Sequence, residues 1–131
     1  MTAQELLYKS MIGCAKELDD KLARVVYEFG SHDSFEELWY MLKKQYDCCY
    51  DVEFEFREGI DTNLSPKTSS RHYEIDVVAT KIDGVWVAWD FYYGGGKHGE
   101  PEAFDWISNA RIVDCEERVV TKTEYVFKEK T

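Results

Sequence analysis

HYEIDVVATKIDGVWVAWDFYY, residues 72–93, reads as two strands around a two-residue turn. The runs 72–82 and 85–93 flank Asp83 and Gly84, and an Asp-Gly pair between such runs is the strongest short hairpin signal. Pairing across that turn sets Thr80 opposite Val87 and Val78 opposite Trp89. The second strand is apolar on both faces. Val85, Val87, Trp89, Phe91 and Tyr93 share one face; Trp86, Ala88 and Tyr92 share the other. One helical layer covers only one of these faces. The other is then an exposed aromatic patch, and so an interface, or the seat of a homodimer.

Upstream the period is helical. Thr2 and Glu5 form a capping box, followed by Leu7, Met11, Cys14, Leu18, Leu22, Val25 and Phe29 at spacings of three and four. This predicts one helix over about 3–29, stopped at Gly30. A second capping box, Ser34 and Glu37, opens a helix over about 35–46 marked by Phe35, Leu38, Trp39, Leu42 and Tyr46. The short link between them predicts a helical hairpin.

Val52, Phe54 and Phe56 then alternate with Glu53, Glu55 and Arg57, which predicts a strand over 50–57. Residues 59–70 are loop by composition. Pro101 suits the first position of a short helical turn. Runs 111–115 and 118–128 read as further strands, with Val119, Thr121, Thr123, Tyr125 and Phe127 on one face. The expected architecture is one α+β domain over 1–131: an N-terminal helical hairpin packed on an antiparallel sheet of about five strands. Cystatin-like and nuclear transport factor 2-like folds share that broad layout.

The 131 residues carry 26 acids against 16 Lys and Arg, for a net charge of −10. That balance argues against direct nucleic-acid binding, which needs a basic footprint, and against an anionic membrane surface. It would steer a basic partner toward the chain. No apolar run is long enough to span a membrane, and the N-terminus lacks the basic start and apolar block of a signal peptide. The four cysteines show no paired spacing and read as reduced thiols, giving a cytoplasmic expectation.

Few motifs carry chemistry. Gly94 to Gly96, then Lys97 and His98, do not satisfy the phosphate-loop pattern. They read as a wide turn needing positive φ, with an anion nest as the functional alternative. His32, His72, His98 and the cysteines sit at no zinc-like spacing, so no metal and no cofactor is expected. No nucleophile motif occurs and no catalytic residues are assigned. Carboxylate pairs such as Glu74 with Asp76, or Asp76 with Asp90, are expected by chance in so acidic a chain.

The acids cluster instead. Residues 47–61 hold Asp47, Asp51, Glu53, Glu55, Glu58 and Asp61 against Arg57; residues 100–117 hold Glu100, Glu102, Asp105, Asp114, Glu116 and Glu117 against Arg111. On a strand, alternate carboxylates would stand roughly 6.5–7 Å apart, a spacing comparable to that of nucleic-acid phosphates. By its size, these runs, the stretch WVAWDFYYGGGKH and its lack of catalytic motifs, the chain resembles in type the small acidic accessory proteins of phages and mobile elements, of the anti-CRISPR and anti-restriction kind. It departs from the most acidic DNA mimics because basic residues are interspersed, and no residue role carries over.

The resulting expectation is a non-enzymatic interaction protein that inhibits a basic, nucleic-acid-handling partner such as a CRISPR effector or defence nuclease. Glu53, Glu55, Glu58 and Asp61 are its expected charge contacts, and Tyr92, Tyr93, Lys97 and His98 its loop anchors. The alternatives are a domain that binds or sequesters a small nucleotide-like ligand at the aromatic sheet face and the 94–98 loop, and a nuclear transport factor 2-like enzyme using Asp76 or Asp90 with His72.

Overall fold

The hairpin forms in the expected register: Thr80 pairs with Val87 and Val78 with Trp89. Its turn places Asp83 at φ 50° and Gly84 at φ 81°, the left-handed pair that a right-twisted two-residue hairpin needs. The computed structural model describes residues 1–29 and 34–130; Gly30 and His32, named above as helix stop and metal candidate, lie outside the described residues.

The described chain is α+β. Four helices, α1 (Ala3–Leu18), α2 (Asp20–Phe29), α3 (Phe35–Gln45) and α4 (Cys48–Phe56), come first. An antiparallel sheet follows in the order β1 (Ile60–Asp61), β2 (Glu74–Ile82), β3 (Val85–Tyr93), β4 (Arg111–Val113). The N-cap half of both expected capping boxes forms: the Thr2 hydroxyl accepts from the Glu5 amide at 3.2 Å and the Ser34 hydroxyl from the Glu37 amide at 3.0 Å. The helices pack on the face carrying Val78, Ile82, Val87 and Trp89. Among the described residues no helix is long and apolar enough to cross a membrane.

Three expectations are corrected. The single helix over 3–29 is two helices. Asp19 adopts an extended conformation that ends α1, and its carboxylate caps α2 by accepting from the Lys21 amide at 2.8 Å and the Leu22 amide at 3.2 Å. The break redirects the buried stripe through Leu7, Met11, Ala15 and Leu22, leaving Cys14 and Leu18 exposed.

Residues 50–57 are not a strand. The same apolar residues also fit a helical face: Cys49 and Val52 are buried and Phe56 packs beside them, while Phe54 points outward. The choice is tertiary. The Trp89 indole donates to the Arg57 carbonyl at 2.8 Å, tying the C-terminal end of α4 to the hairpin.

The sheet has four strands rather than about five. A short β1 pairs with Ala79 and Val78. The 111–115 run pairs only over β4, and residues 114–130 are exposed throughout and carry no regular structure.

Replacing Asp19 by Ala removes the cap between α1 and α2. The expected loss is about 1 kcal/mol of stability in urea denaturation, with no change in the far-ultraviolet spectrum of the folded state.

Candidate functional site

The second face of the hairpin carries Val77, Ala79 and Ala88, with Trp86 and Val113 against them. It also carries Asp90, fully buried. The Asp90 carboxylate accepts from the Lys67 amide at 2.9 Å, the Thr68 amide at 2.8 Å, the Thr68 hydroxyl at 2.7 Å and the Arg111 guanidinium at 3.1 Å. Its amide donates to the Asn109 side chain at 2.8 Å. One side chain thus clamps the 62–70 loop and the approach to β4 onto a face that the helices do not reach. Burial pushes the Asp90 carboxyl up, but the hydrogen bonds from Thr68, Arg111 and Lys67 outweigh it and hold it below the usual carboxylate value. A carboxylate so saturated is a poor base. Asp76 lies on the opposite sheet face, because it is Val77 that pairs with Asp90. The two acids do not meet.

None of the four cysteines is bonded to another. Burial, reinforced by Cys48, pushes the Cys49 thiol up to about 12.

A broad concavity lies elsewhere. An open groove of about 650 Å³ runs between α3 and α4 on one side and residues 102–107 on the other. It gathers both acidic runs: Asp51 and Glu53 stand on one wall, Glu102 and Asp105 on the other. Four large rings that the fold leaves about half exposed, Tyr40, Tyr50, Phe54 and Phe104, all line it.

Two cations of the chain already sit in this lining. The Lys43 ammonium pairs with Glu53 and lies 4.9 Å from the Tyr50 ring centre and 5.7 Å from that of Tyr40. Arg57, only 6% exposed, lies 4.3 Å over the Phe91 ring and donates to the Tyr92 carbonyl at 3.4 Å. Its Nε and Nη1 have no hydrogen-bond partner. Burial lowers its pKa, opposed by the charges of Glu102 and Glu58. The groove lining thus holds Lys43 between aromatic faces and a carboxylate, and Arg57 over an aromatic face.

The hairpin positions both walls. Trp89 fixes the end of α4 and packs 5.0 Å from Trp106; Tyr92, on the other sheet face, stacks 4.7 Å from Phe104. Because β4 pairs only with residues 86–88, the edge of β3 beyond Trp89 is open to this segment. Gln4 secures its far end by donating to the carbonyls of Ile107 and Ala110 at 3.1 and 3.0 Å.

Of the eight residues expected from sequence as partner contacts, the described ones are spread over different parts of the fold. Glu53 lines the groove. Glu55 and Glu58 are exposed outside its lining. On a helix Glu53 and Glu55 diverge by about 200°, so the ridge of strand-spaced acids does not exist. Asp61 sits on β1, at a separate cleft. Tyr92 is buried beneath Phe104, its hydroxyl donating to that of Thr68. Tyr93 is half-buried and Lys97 exposed; the His98 side chain lies outside the described residues. Gly94, Gly95 and Gly96 all have positive φ, as a wide turn requires. Sequence reading missed Tyr40, Lys43 and Tyr50, whose only mark was their place on amphipathic helices, and it left the role of Phe104 open.

No family model, no curated protein and no solved structure is similar to this chain.

Asp90→Ala should cost on the order of 3–5 kcal/mol, because it strands the Arg111 charge and releases the loop. The depressed carboxyl stabilises the fold above the usual carboxylate pKa and ceases to do so as pH falls through its folded value. Urea titrations at stepped acid pH should show this decline in the native chain and its absence in the variant.

Proposed function

We propose that the protein is a non-enzymatic interaction protein whose acidic aromatic groove captures basic side chains of a protein partner. The observation that carries this reading is the handling of Lys43. The chain's own ammonium lies against Tyr40 and Tyr50 and pairs with Glu53, while Glu102 and Asp105 stand on the facing wall, Asp105 also accepting from the Ser108 amide at 3.1 Å. A lysine or arginine presented by a partner would meet the same chemistry. Half-exposed rings supply desolvated area, and the rim carboxylates supply steering and selectivity.

A net charge of −10 favours partners that are themselves strongly basic. Proteins that handle nucleic acid are one such class, because they carry a basic footprint. Occupying that footprint would inhibit them, as expected of an accessory protein acting on a CRISPR effector or defence nuclease.

The test is capture by the tagged chain from a nuclease-treated bacterial lysate, eluted with rising salt and identified by mass spectrometry. A basic nucleic-acid-handling protein should elute at high salt. Glu102→Lys with Asp105→Lys should weaken its binding at least tenfold, a loss of about 1.4 kcal/mol or more. Unchanged capture by that variant, or capture indifferent to salt, would remove the groove from the account. Glu55→Lys, outside the groove, should leave capture within about twofold.

A further inference from the structure

Residues 118–128, RVVTKTEYVFK, carry strong strand character and stand in water. Val119, Tyr125 and Phe127, which would share one strand face, are 98%, 80% and 90% exposed, and Val120 and Val126 on the other face 80% and 78%. A folded chain that leaves five such side chains uncovered in one segment is offering them to another surface. Charge identifies that surface. From 118 onward the arm holds Arg118, Lys122, Lys128 and Lys130 against Glu124 and Glu129, so it is net basic, while the body carries the other 24 of the 26 acids.

The body also has a matching cleft. A hollow of about 280 Å³ opens at the end of the second sheet face that the Asp90 clamp leaves uncovered. Trp86 and Val113 line it with Ile60 and Leu64, which are 61% and 42% exposed; Asp61 and Glu116 stand at the same cleft. It offers apolar lining for Tyr125 and Phe127 and the Asp61 carboxylate for Lys122, while Arg118 pairs with Glu116 of its own chain at 3.0 Å.

We propose that the chain dimerises by exchanging arms, residues 118–128 of each copy lying over the cleft lined by Ile60, Trp86 and Val113 of the other. The exchange is self-complementary, so it closes at two copies. Each copy contributes an eleven-residue arm and a cleft, approaching the roughly 20–30 residues a side of a stable interface. The proposal does not use the groove between α3, α4 and 102–107.

Sedimentation equilibrium of the full chain should give twice the 15.4 kDa monomer mass. Tyr125→Asp with Phe127→Asp in the arm, and separately Leu64→Asp in the cleft, should each give the monomer mass with an unchanged far-ultraviolet spectrum. Mixing these two monomeric variants should recover a one-armed heterodimer, because each keeps the half that the other lacks. Hydrogen exchange on the unaltered chain gives a reading that needs no substitution: amides of 118–128 should be protected at dimer concentrations and exchange freely on dilution. A wild-type mass of 15.4 kDa at high micromolar concentration, a dimer that survives the arm substitutions, or unprotected arm amides in a dimer would each overturn the proposal.

Discussion

The structure depends on one constraint: β3 is apolar on both faces, and both must leave water. The helices satisfy one face with the cluster around Val87 and Trp89. The other has no helix, and Asp90 solves the problem there. A buried ionised carboxylate costs several kcal/mol unless its lone pairs are met. Here they are met by two amides, a hydroxyl and a guanidinium drawn from residues 67, 68 and 111. The charge thereby recruits irregular chain as cover, and a loop of low apolar content comes to lie on a sheet.

The groove inherits its shape from the same hairpin. Trp89 reaches the end of α4 through its indole N–H and touches Trp106 with its ring, while Tyr92, on the opposite face, carries Phe104. The two acidic runs, about fifty residues apart in sequence, are brought face to face by two aromatic residues of one strand. Repulsion between the walls is moderated by the two cations held in the lining, Lys43 and Arg57. The interspersed basic residues Lys43 and Arg57 are thus part of the acidic groove rather than a dilution of it.

What the sequence made legible follows from the range of each signal. The hairpin turn, its register, the Thr2 and Ser34 N-caps and the short turn at Pro101 are local, and each forms as read. Residues 50–57 read as a strand because Val52 and Phe56 satisfy a period of two and of 3.6 alike, and a bond from Trp89, far along the chain, decides for the helix. Asp19 was overlooked as a cap because the apolar stripe runs on through it. The 118–128 segment has the composition of a strand but no strand partner within the described chain, and composition alone does not say which surface will pair with it. The acidic runs were visible; their convergence was not, since it rests on stacking between residues 89 and 106 and between 92 and 104.

The most direct measurement is an NMR titration of the isotope-labelled chain with an arginine-rich peptide. The account predicts salt-sensitive shifts concentrated in α4 and residues 101–107, including the Trp106 indole N–H, together with the ring protons of Tyr40 and Tyr50. Shifts confined to the 94–98 loop, or none at all, would contradict the claim that the groove is the binding surface.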